Sequence, residues 1–546
     1  MTVPPALSVW QLVETSAGAH GPAEALVFGS VRISFRDLAT RVRTVASRLS
    51  AIGIRRGDHV GLLMPDGPAG VEFLLGIMSL GAVAVPVNGR FKAEELGFVI
   101  GHADLRALIC GDDAGGSHGY VELARQVVRE SPPIPGSPFP VFPRLEMVVG
   151  LDDGLEGAVP TGNIRDVDTP LSRALERDRD ATALILYTSG TTSRPKGCMH
   201  THAALTRNAP NALGQILGLK AGDRLFAPLP MFHAGGIVTL LGTIALGAAF
   251  CHPGRFEIGS AIAFLGAERC TLSYAPFEAV WGAITDAVSR SGRQYPALRA
   301  AVYSSTPERL HRAQRAVPAT SMVGAYGSTE SCINLTMAAP DDPETLRLET
   351  VGRVVEGMEV RIVDPETRRV LASGERGELA FRGYARFQGY YKDPDLTAQA
   401  IDADGWFHSR DLASFDDGGY VRFHGRIKDM LKVGGENVAA VEIEAYLNRH
   451  ESVELVQVVA VPDSRYGEVP AAFVKLRPGM AATQKDLQDF CIGKIATFKV
   501  PRYVRFVEVW PMSGTKVQKF RLRDELIREL EAAGITAAPK LVARQA

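Results

Sequence analysis

One short polar segment, YTSGTTSRPKG at residues 187–197, carries the clearest chemical signal in this chain. It follows the apolar stretch 183–186, so we expect a loop that leaves a strand. It contains five serine and threonine hydroxyls, two glycines and Lys196. Converging backbone N–H groups, hydroxyl donors and a lysine charge can together cradle a phosphate. The spacing does not match the GxxxxGK[ST] P-loop, and the plain alternative for such a segment is an ordinary turn.

Further short motifs follow this segment in a fixed order. They are PMFHAGG at 230–236, YGSTE at 326–330, GWFHSRD at 405–411, GRIKD at 425–429, KVGGEN at 432–437 and KVQK at 516–519. With the phosphate-loop segment, this order resembles the AMP-forming acid–CoA ligases of the adenylate-forming superfamily, which includes acyl-CoA synthetases, adenylation domains and luciferases. The resemblance spans residues from about 30 to 525.

The resemblance implies a reaction in two halves, with ATP, Mg²⁺ and coenzyme A as the small molecules required. A carboxylate first attacks the α-phosphate of ATP to give an acyl-adenylate and pyrophosphate, and the CoA thiol then displaces AMP. The first half brings anions together, so it requires positioned cations. The protein's partners are therefore expected to be a small carboxylic acid and CoA.

The resemblance also assigns four candidate catalytic residues. Thr329 would contact the α-phosphate, Glu330 would hold Mg²⁺, and Lys516 would bridge the carboxylate and the α-phosphate. His233 would lie at the mouth of the acyl pocket. Three of them have a plain alternative: a surface carboxylate for Glu330, a solvated lysine for Lys516 and a core histidine for His233.

A larger group of residues is expected, from the same resemblance, to bind the nucleotide and CoA. The phosphate set is Thr188, Ser189, Gly190, Thr191, Thr192 and Lys196; the adenine set is Ser304, Ser305, Thr306, Tyr326 and Gly327; the ribose set is Asp411 and Arg426; and the CoA side has Lys432, Gly434 and Gly435. Without the family context, Tyr326 would be read as a core residue and Asp411 as a helix-cap or turn residue. Arg426 would be read as part of a surface ion pair, and Gly434-Gly435 as a hairpin turn. Lys428 is the expected hinge.

The expected acyl pocket is lined by small or neutral side chains. They come from His233, Tyr303, Gly324, Ala325, Ser331 and Cys332. None is a cation or a carboxylate, so an apolar or aromatic acid is favoured over an amino acid.

Three nucleotide motifs lack a glycine that the family pattern leads one to expect. Ser193, Arg410 and Thr515 stand at those positions, and Ser304-Ser305 replaces a small turn near adenine. If these positions require a positive φ, Thr515 and Ser193 would each cost about 1 kcal/mol or more, and Arg410 would put a bulky cation beside the nucleotide. One interpretation is sequence drift at tolerant loops. The other is that adenylation is slow or lost, leaving an enzyme that converts a supplied acyl-adenylate. Two further alternatives are an enzyme that loads a separate carrier protein and a non-catalytic nucleotide-binding protein.

The elements that must position these motifs follow from the hydrophobic pattern. Up to about residue 424, apolar strand-like stretches such as 59–64, 82–87 and 183–187 alternate with amphipathic ones, which indicates parallel α/β layers. After residue 425 the pattern predicts a compact α+β unit. It comprises a helix over 441–447, strands over 453–461, 471–476 and 503–510, and a helix that begins at Thr483 with Asp486.

We therefore predict an α/β protein with domains 1–427 and 428–546. The resemblance adds two layered α/β subdomains and a small β-barrel to the first domain, and mobility to the second. Between residues 494 and 523 the second domain has eight cationic side chains against Glu508 alone. This stretch is either a solvated face or a surface that meets polyphosphate.

Composition narrows the class of protein further. The 546 residues include 60 Lys+Arg and 61 Asp+Glu, and this balance gives no reason to expect nucleic acid. The six cysteines are scattered without zinc spacing, and the first residues lack signal-peptide character. A cytoplasmic protein is therefore expected. The uncharged stretch 234–251 is about as long as a minimal membrane span, but its four glycines favour a buried helix that runs into a buried strand.

Overall fold

The computed structural model describes residues 5–112, 119–129, 142–150, 175–188, 195–427, 430–433, 436–513, 516–539 and 541, with backbone alone at 128, 129, 278, 279, 432, 436, 437, 513 and 516. Its helices are α1 Val9–His20, α2 Phe35–Ala51, α3 Pro68–Ser79, α4 Ala93–His102, α5 Tyr120–Arg129, α6 His202–Ala209, α7 Ala234–Ala245, α8 Ile258–Ala267, α9 Glu278–Ser291, α10 Pro307–Ala316, α11 Glu344–Glu349, α12 Pro394–Ala400, α13 Ala440–Leu447, α14 Gln484–Cys491 and α15 Lys519–Ala532. A π-helical turn, Pro210–Ile216, extends α6, and 3-10 turns occupy Thr329–Ser331 and Thr497–Lys499.

The strands fall into a first group before residue 330 and a second group after it. The first group is β1 Glu24–Phe28, β2 Val31–Ser34, β3 His59–Leu63, β4 Val83–Pro86, β5 Leu105–Cys110, β6 Met147–Gly150, β7 Thr182–Thr188, β8 Lys196–Thr201, β9 Arg224–Phe226, β10 Ala249–His252, β11 Leu272–Tyr274, β12 Ala300–Val302, β13 Ser321–Val323 and β14 Ala325–Tyr326. The second group is β15 Thr336–Met337, β16 Arg353–Val354, β17 Met358–Val363, β18 Gly377–Gly383, β19 Gly389–Tyr390, β20 Phe407–Phe415, β21 Val421–Arg426, β22 Met430–Val433, β23 Glu436–Ala439, β24 Val453–Asp463, β25 Gly467–Leu476, β26 Tyr503–Phe506, β27 Met512–Ser513 and β28 Lys516–Val517.

Two seven-stranded sheets form the two α/β layers that the sequence predicts. Their strand orders are β13-β12-β11-β9-β10-β1-β2 and β19-β8-β7-β4-β3-β5-β6. The centre of each sheet is parallel, and antiparallel strands lie at the edges. Central parallel strands are buried on both faces, which explains their continuous apolar stretches. The carboxyl ends of such strands are where open α/β sheets bind ligands.

The third unit of the first domain is antiparallel. It has a four-stranded sheet, β17-β18-β20-β21, and a three-stranded sheet, β14-β15-β16. The resemblance implies a small β-barrel in the first domain without saying which residues form it, and the structure has these antiparallel sheets there. In the four-stranded sheet, β20 pairs with both β18 and β21, and each pairing contains a register shift. Such shifts re-aim side chains, and the first of them coincides with the GWFHSRD motif.

The second domain forms around a five-stranded sheet of order β23-β22-β25-β24, with β26 added to β25. Helix α13 covers the predicted 441–447, and α14 begins at a capping box formed by Thr483 and Asp486. Strand β26 ends at Phe506, so the observed strand is shorter than the predicted strand 503–510. Pro511 follows within a few residues and cannot donate to a ladder. Strand β21 ends at Arg426 and β22 begins at Met430, so we keep residue 428 as the proposed domain boundary and hinge.

The uncharged stretch 234–251 is helix α7 followed by strand β10, as predicted. No helix in the described residues combines the length and apolar character needed to cross a membrane. All six cysteines are buried and unbridged.

Candidate functional site

A cleft of about 1530 Å³ lies between the two domains. On the first domain its walls include Tyr303, Ser304, Ser305 and Thr306, the strand β14 with Gly327, and Arg426. On the second domain they include residues 456–460 of β24 and residues 517–519. Tertiary folding thus brings the predicted adenine set and the residues next to Lys516 to one cavity.

Tyr326 is the aromatic platform of this cavity. One ring face packs on Phe423 of β21, with centroids 5.6 Å apart and an interplanar angle of 29°. Its hydroxyl donates to Asp411 Oδ2 at 2.6 Å. Burial and then the neighbouring Asp411 charge raise the Tyr326 pKa well above its ordinary value, so the phenol remains a donor. Arg426 lies opposite Asp411 in the β20–β21 pairing, with Nε 3.5 Å from Asp411 Oδ1. Asp411 and Arg426, which are predicted to bind ribose, therefore lie together beside Tyr326, which is predicted to stack on adenine.

A β-bulge sets the direction of Asp411. The β18–β20 register shifts between Glu378 and Ala380, so the extra residues 409–411 face Leu379. Arg410 sits in the bulge with φ +59°, in the left-handed region. Glycine adopts this positive φ without steric strain, whereas an arginine in the same conformation destabilises the fold by about 1 kcal/mol or more. Of the positions where a glycine was expected, Arg410 is therefore one at which the fold does require a positive φ.

A buried charge network holds this bulge. Glu378 Oε1 accepts from the Arg410 backbone N–H at 2.9 Å. Its other oxygen contacts Arg368, and His408 Nδ1 at 3.3 Å, while His408 Nε2 lies 3.1 Å from Asp402 Oδ2. Burial alone would raise the Glu378 pKa, but the hydrogen bond with His408, the Arg368 charge and the Arg410 N–H outweigh it and leave the pKa below its ordinary value. Strained backbone persists where its surroundings fix it in this way.

Glu330 lies in the 3-10 turn Thr329–Ser331 and is held from a distant strand. The Tyr390 hydroxyl donates to Glu330 Oε1 at 2.9 Å, and the Lys196 ammonium lies 5.5 Å from the centre of the Tyr390 ring. Burial raises the Tyr390 pKa, followed by the Glu330 charge, so this hydroxyl also remains a donor. Tyr390 therefore contacts both Glu330, the predicted metal ligand, and Lys196, the lysine of the phosphate loop.

At position 327 only a glycine fits, because the backbone of Ile333 lies very close to it. A Cβ at this position would come within 1.4 Å of the Ile333 carbonyl oxygen, so a side chain cannot be accommodated. The turn that follows bends sharply, since Cys332 and Ile333 have φ of +51° and +73°. A β-branched residue at positive φ is rare and strained. Strain of this kind clusters at functional sites.

The predicted acyl-pocket residues fall in three places: Ser331 and Cys332 in this turn, His233 at the start of α7, and Tyr303, Gly324 and Ala325 in the cleft wall. Ser331 Oγ donates to the Ser328 carbonyl at 3.1 Å, and Cys332 Sγ contacts His200 Nδ1 at 3.1 Å in a buried pair. His233 is the N-cap residue of α7, with its ring 6.0 Å from that of Phe277. Its assignment as a pocket residue stays a prediction.

On the second domain, the predicted positions fall on two short strands. Lys516 begins β28 and Lys432 lies in β22, where the structure gives the backbone. In the basic stretch 494–523, Lys499 contacts Glu442 at 2.6 Å, Lys519 contacts Glu444 at 2.5 Å, and Arg505 contacts Glu529 at 2.6 Å. Ion pairs inside the protein therefore account for three of these cations, which weakens the prediction of a continuous polyphosphate surface.

Several predicted residues lie outside the described part of the chain. They are Ser189, Gly190, Thr191, Thr192, Ser193, Lys428, Gly434, Gly435 and Thr515. Thr188 ends β7 and pairs in register with Lys196, so both ends of the phosphate loop are in place. Within the described ranges, no group of three or more His, Cys, Asp or Glu side chains could by itself hold a metal ion.

Three residues of this site escaped the sequence-based prediction. Phe423 stacks under Tyr326, Tyr390 holds Glu330, and Glu378 holds the Arg410 bulge. Each acts on a motif at least 30 residues away, so no local spacing identifies it. The Gly377-Glu378-Leu379 segment could have suggested a buried carboxylate, because a lone acid in an apolar strand requires partners.

Comparison with known proteins agrees with this geometry. The family model described as AMP-binding enzyme matches residues 13–391, and the AMP-binding enzyme C-terminal domain matches 442–516. A propanoyl:CoA ligase of Rhodococcus jostii (strain RHA1), whose acyl group carries a methyl-dioxo-octahydroindenyl ring system, is 34% identical over 534 residues, covering 94% of this chain and 98% of that protein. The medium-chain acyl-CoA ligase ACSF2 of Homo sapiens, a mitochondrial protein, is 30% identical over 544 residues, covering 96% and 88%.

A solved structure shares the overall arrangement. It is the anthranilate CoA ligase AuaEII in complex with anthranoyl-AMP, with a TM-score of 0.85 and 26% identity, covering 98% of this chain and 100% of the other.

Proposed function

Because this chain belongs to the AMP-binding enzyme family, as an AMP-forming acid–CoA ligase of the adenylate-forming superfamily, we propose that it activates an apolar or aromatic carboxylic acid that is not an amino acid. The observation that carries the proposal is the cleft between the domains, where Tyr326 and Arg426 line one wall and residues 517–519 another. The small, neutral residues predicted for the acyl pocket support the substrate class, as do relatives named for bulky or aromatic acids.

In the first half-reaction, an oxygen of the carboxylate attacks the α-phosphorus of ATP, and the bond to pyrophosphate breaks. Tyr326 would stack on adenine across from Ser304–Thr306, while Asp411 would accept hydrogen bonds from the ribose hydroxyls. The Tyr326 hydroxyl fixes the Asp411 carboxylate at 2.6 Å, which orients it before the nucleotide arrives. Thr329 would contact the α-phosphate, and Lys196 would face the phosphates from the end of their loop.

Glu330 is the residue that would hold Mg²⁺. Magnesium in phosphoryl-transfer sites takes one or two protein carboxylates and completes its shell with phosphates and water. A single carboxylate oriented at one oxygen by Tyr390 fits that requirement, whereas an all-protein cage does not occur among the described residues. When bound, the ion neutralises charge on the phosphates.

In the second half-reaction, the CoA thiol loses its proton to solvent, its sulfur bonds to the acyl carbonyl carbon, and the bond from that carbon to the phosphate oxygen breaks to release AMP. The second domain is proposed to turn about Lys428 between the two halves, bringing Lys516 to the reacting atoms in the first and the 432–435 segment to CoA in the second. Ion pairs between domains hold the present arrangement: Arg449 contacts Glu308 at 3.2 Å and Arg376 contacts Glu442 at 3.0 Å. Both pairs are partly exposed, and exposed ion pairs contribute about 1 kcal/mol or less to stability. They can therefore break when the second domain turns.

A panel of carboxylic acids tests this function. Each acid is supplied with ATP and CoA, and each corresponding synthetic acyl-adenylate is supplied with CoA alone, while AMP release and thioester are measured. Turnover of apolar or aromatic acids from ATP supports the proposal. Turnover from acyl-adenylates alone would instead support the thioesterification-only alternative that the strained Arg410 position motivates. Nucleotide binding with no thioester in either arm would support the non-catalytic alternative, and acyl transfer only to an added carrier protein would support the carrier alternative.

A further inference from the structure

Tyr187 and Gly197, the first and last residues of the phosphate-loop segment, lie against each other. They pair across β7 and β8, next to the pair formed by Thr188 and Lys196. A Cβ at position 197 would come within 3.2 Å of Tyr187 Cζ and 2.9 Å of Ile185 Cγ2, so the tyrosine ring packs directly on the glycine. Lys196 is joined to Gly197 in the chain, and its position therefore depends on where the Tyr187 ring lies.

The Tyr187 ring is anchored at the C-terminal end of helix α4. Its hydroxyl oxygen lies 2.7 Å from His102 Nδ1, which is a hydrogen-bond distance. The His102 ring meets the Tyr187 ring edge-on, with centroids 5.7 Å apart, and stacks on Phe98 at 5.0 Å. Burial, and then the charge of Lys392, lower the pKa of His102, and burial raises the pKa of Tyr187. At neutral pH both side chains are therefore uncharged, and one hydrogen bond joins them.

The same end of α4 also holds the residue that follows β19. The Tyr391 N–H donates to the Gly197 carbonyl at 2.8 Å, and the Tyr391 hydroxyl donates to Asp104 Oδ2 at 2.8 Å. Lys392 Nζ contacts the same carboxylate oxygen at 2.7 Å. Asp104 and Lys392 both have a positive φ, of +50° and +55°, and such strain persists where the surroundings fix it. Two tyrosines, Tyr187 and Tyr391, therefore hold Gly197, and both are tied to α4.

Lys196 is the cation whose position these contacts determine. Its ammonium lies 5.5 Å from the centre of the Tyr390 ring, whose hydroxyl donates to Glu330. The ammonium is a compact charge, so its attraction to a phosphate falls with distance. A shift of Lys196 would therefore act on the phosphates, whereas Tyr326 and Asp411, which are proposed to bind the adenosine, lie on other strands.

We propose that His102 is a positioning residue for the phosphate loop. Through Tyr187 and Gly197 it holds Lys196 where that lysine can meet the β- and γ-phosphates of ATP. The proposal rests on the proposed function for the direction in which the nucleotide lies. His102 then strengthens binding of ATP and of the released pyrophosphate without contacting either, and it has little effect on AMP.

Calorimetric titration of ATP, pyrophosphate and AMP, each with Mg²⁺ and without acid, tests this role. His102→Leu removes the hydrogen bond and keeps an apolar side chain beside Phe98, whereas Tyr187→Phe keeps the ring on Gly197 and removes the hydroxyl. Each is expected to raise the Kd for ATP and for pyrophosphate about fivefold, the factor that corresponds to the typical net value of one hydrogen bond, and to change the Kd for AMP less than about twofold. The double variant should bind ATP no more weakly than the weaker single variant, because both changes remove the same bond.

His102→Asn is the conservative variant that should restore binding. Its amide offers a donor and an acceptor near the position of Nδ1, so the ATP Kd is expected to return to within about twofold of that of the unchanged protein. A role of His102 in stability alone would give a lower unfolding temperature for His102→Leu and no difference between ATP and AMP.

His450→Leu is the matched control. The His450 ring also lies edge-on to a phenylalanine, Phe490, at 5.1 Å, and its Nδ1 accepts from the Ser452 N–H at 3.3 Å, but it is not part of the cleft wall. This variant should leave all three Kd values unchanged.

Three results would overturn the role of His102. They are an unchanged ATP Kd in both His102→Leu and Tyr187→Phe, equal weakening of ATP and AMP, and binding of ATP by His102→Asn that is as weak as in His102→Leu. Failure of the proposed function is separate: the chain would bind ATP with the expected differences and yet form no thioester from any acid.

Discussion

The hydroxyl of Tyr326 donates to Asp411 at 2.6 Å, although 85 residues separate them in the chain. The bond links the YGSTE and GWFHSRD motifs into the one surface that we propose faces the nucleotide. It joins a ring suited to stack on adenine with a carboxylate suited to accept from ribose. A phenol whose pKa is raised by burial and by the Asp411 charge stays protonated and keeps donating.

Tyr326→Phe should keep the stacking surface and release Asp411. We expect the nucleotide Kd to rise several-fold and the free energy of unfolding to fall by about 1 kcal/mol, the typical net value of one hydrogen bond. Asp411→Ala should weaken nucleotide binding further. Tyr420→Phe is the control, because it removes a comparable hydrogen bond to Asp342 away from the cleft. An unchanged nucleotide Kd in both Tyr326→Phe and Asp411→Ala would contradict the ribose assignment.

Lys516→Ala should separate the two half-reactions. Loss of the cation that is proposed to bridge the carboxylate and the α-phosphate is expected to slow adenylation about 100-fold or more. Thioester formation from preformed acyl-adenylate should be retained. Pyrophosphate exchange measures the first half and thioester release from synthetic adenylate the second. Arg521→Ala removes an exposed cation from the same basic stretch and should affect neither. Equal losses in both halves for Lys516→Ala would count against its role.

Glu378 should stabilise the protein through its charge and shape the site through its contact with Arg410. Glu378→Gln keeps an oxygen for the Arg410 N–H but leaves Arg368 without its buried partner charge. Because Arg368 is half-exposed, this change is expected to lower the free energy of unfolding by about 2 kcal/mol, the value of a hydrogen bond to a charged group, and to change nucleotide binding little.

Glu378→Ala removes the acceptor as well, so it should also weaken nucleotide binding by freeing the bulge. Denaturant unfolding and nucleotide titration measure the two effects. Glu359→Gln, which breaks the exposed pair with Arg382, is the control and should cost less than about 1 kcal/mol. The role of Glu378 in shaping the site is wrong if its Ala and Gln variants bind nucleotide equally well.

Buried histidines should make stability depend on pH between about 6.5 and 4. Burial lowers the pKa of His200, His202 and His252 to about 4 from an ordinary value of 6.5. In this window the unfolded chain binds protons that the folded chain does not, so the free energy of unfolding falls as the pH falls. Each histidine contributes at most about 1.4 kcal/mol per pH unit.

Denaturant unfolding at a series of pH values measures this slope. His202→Gln should reduce this slope by an amount that corresponds to at most one bound proton, because Gln is not titratable. The Gln side chain can replace Nδ1 as the acceptor for the Val9 N–H, so the hydrogen bond is kept. A stability that stays flat or rises as the pH falls from 6.5 to 5 would be inconsistent with these buried neutral rings.

Local sequence was sufficient wherever an element depends on neighbours along the chain. The apolar stretches at 59–64 and 183–187 became β3 and β7 because a strand buried on both faces requires such a stretch. The Thr483 capping box formed because its partners are three residues apart. Strand β26 was overestimated because the apolar pattern continues past Phe506, whereas the pairing with β25 that defines the strand ends there.

By itself, the sequence determined the α/β class and the order of the motifs, since these depend on composition and on short spacings, and the family resemblance carried by those motifs implied which residues would meet ATP and CoA. Only the tertiary structure decided that Phe423 supports Tyr326, that Tyr390 holds Glu330 and that Glu378 fixes a left-handed Arg410. These contacts join residues that are distant in the chain. Their energies arise from burial and geometry that exist only once the sheets have packed.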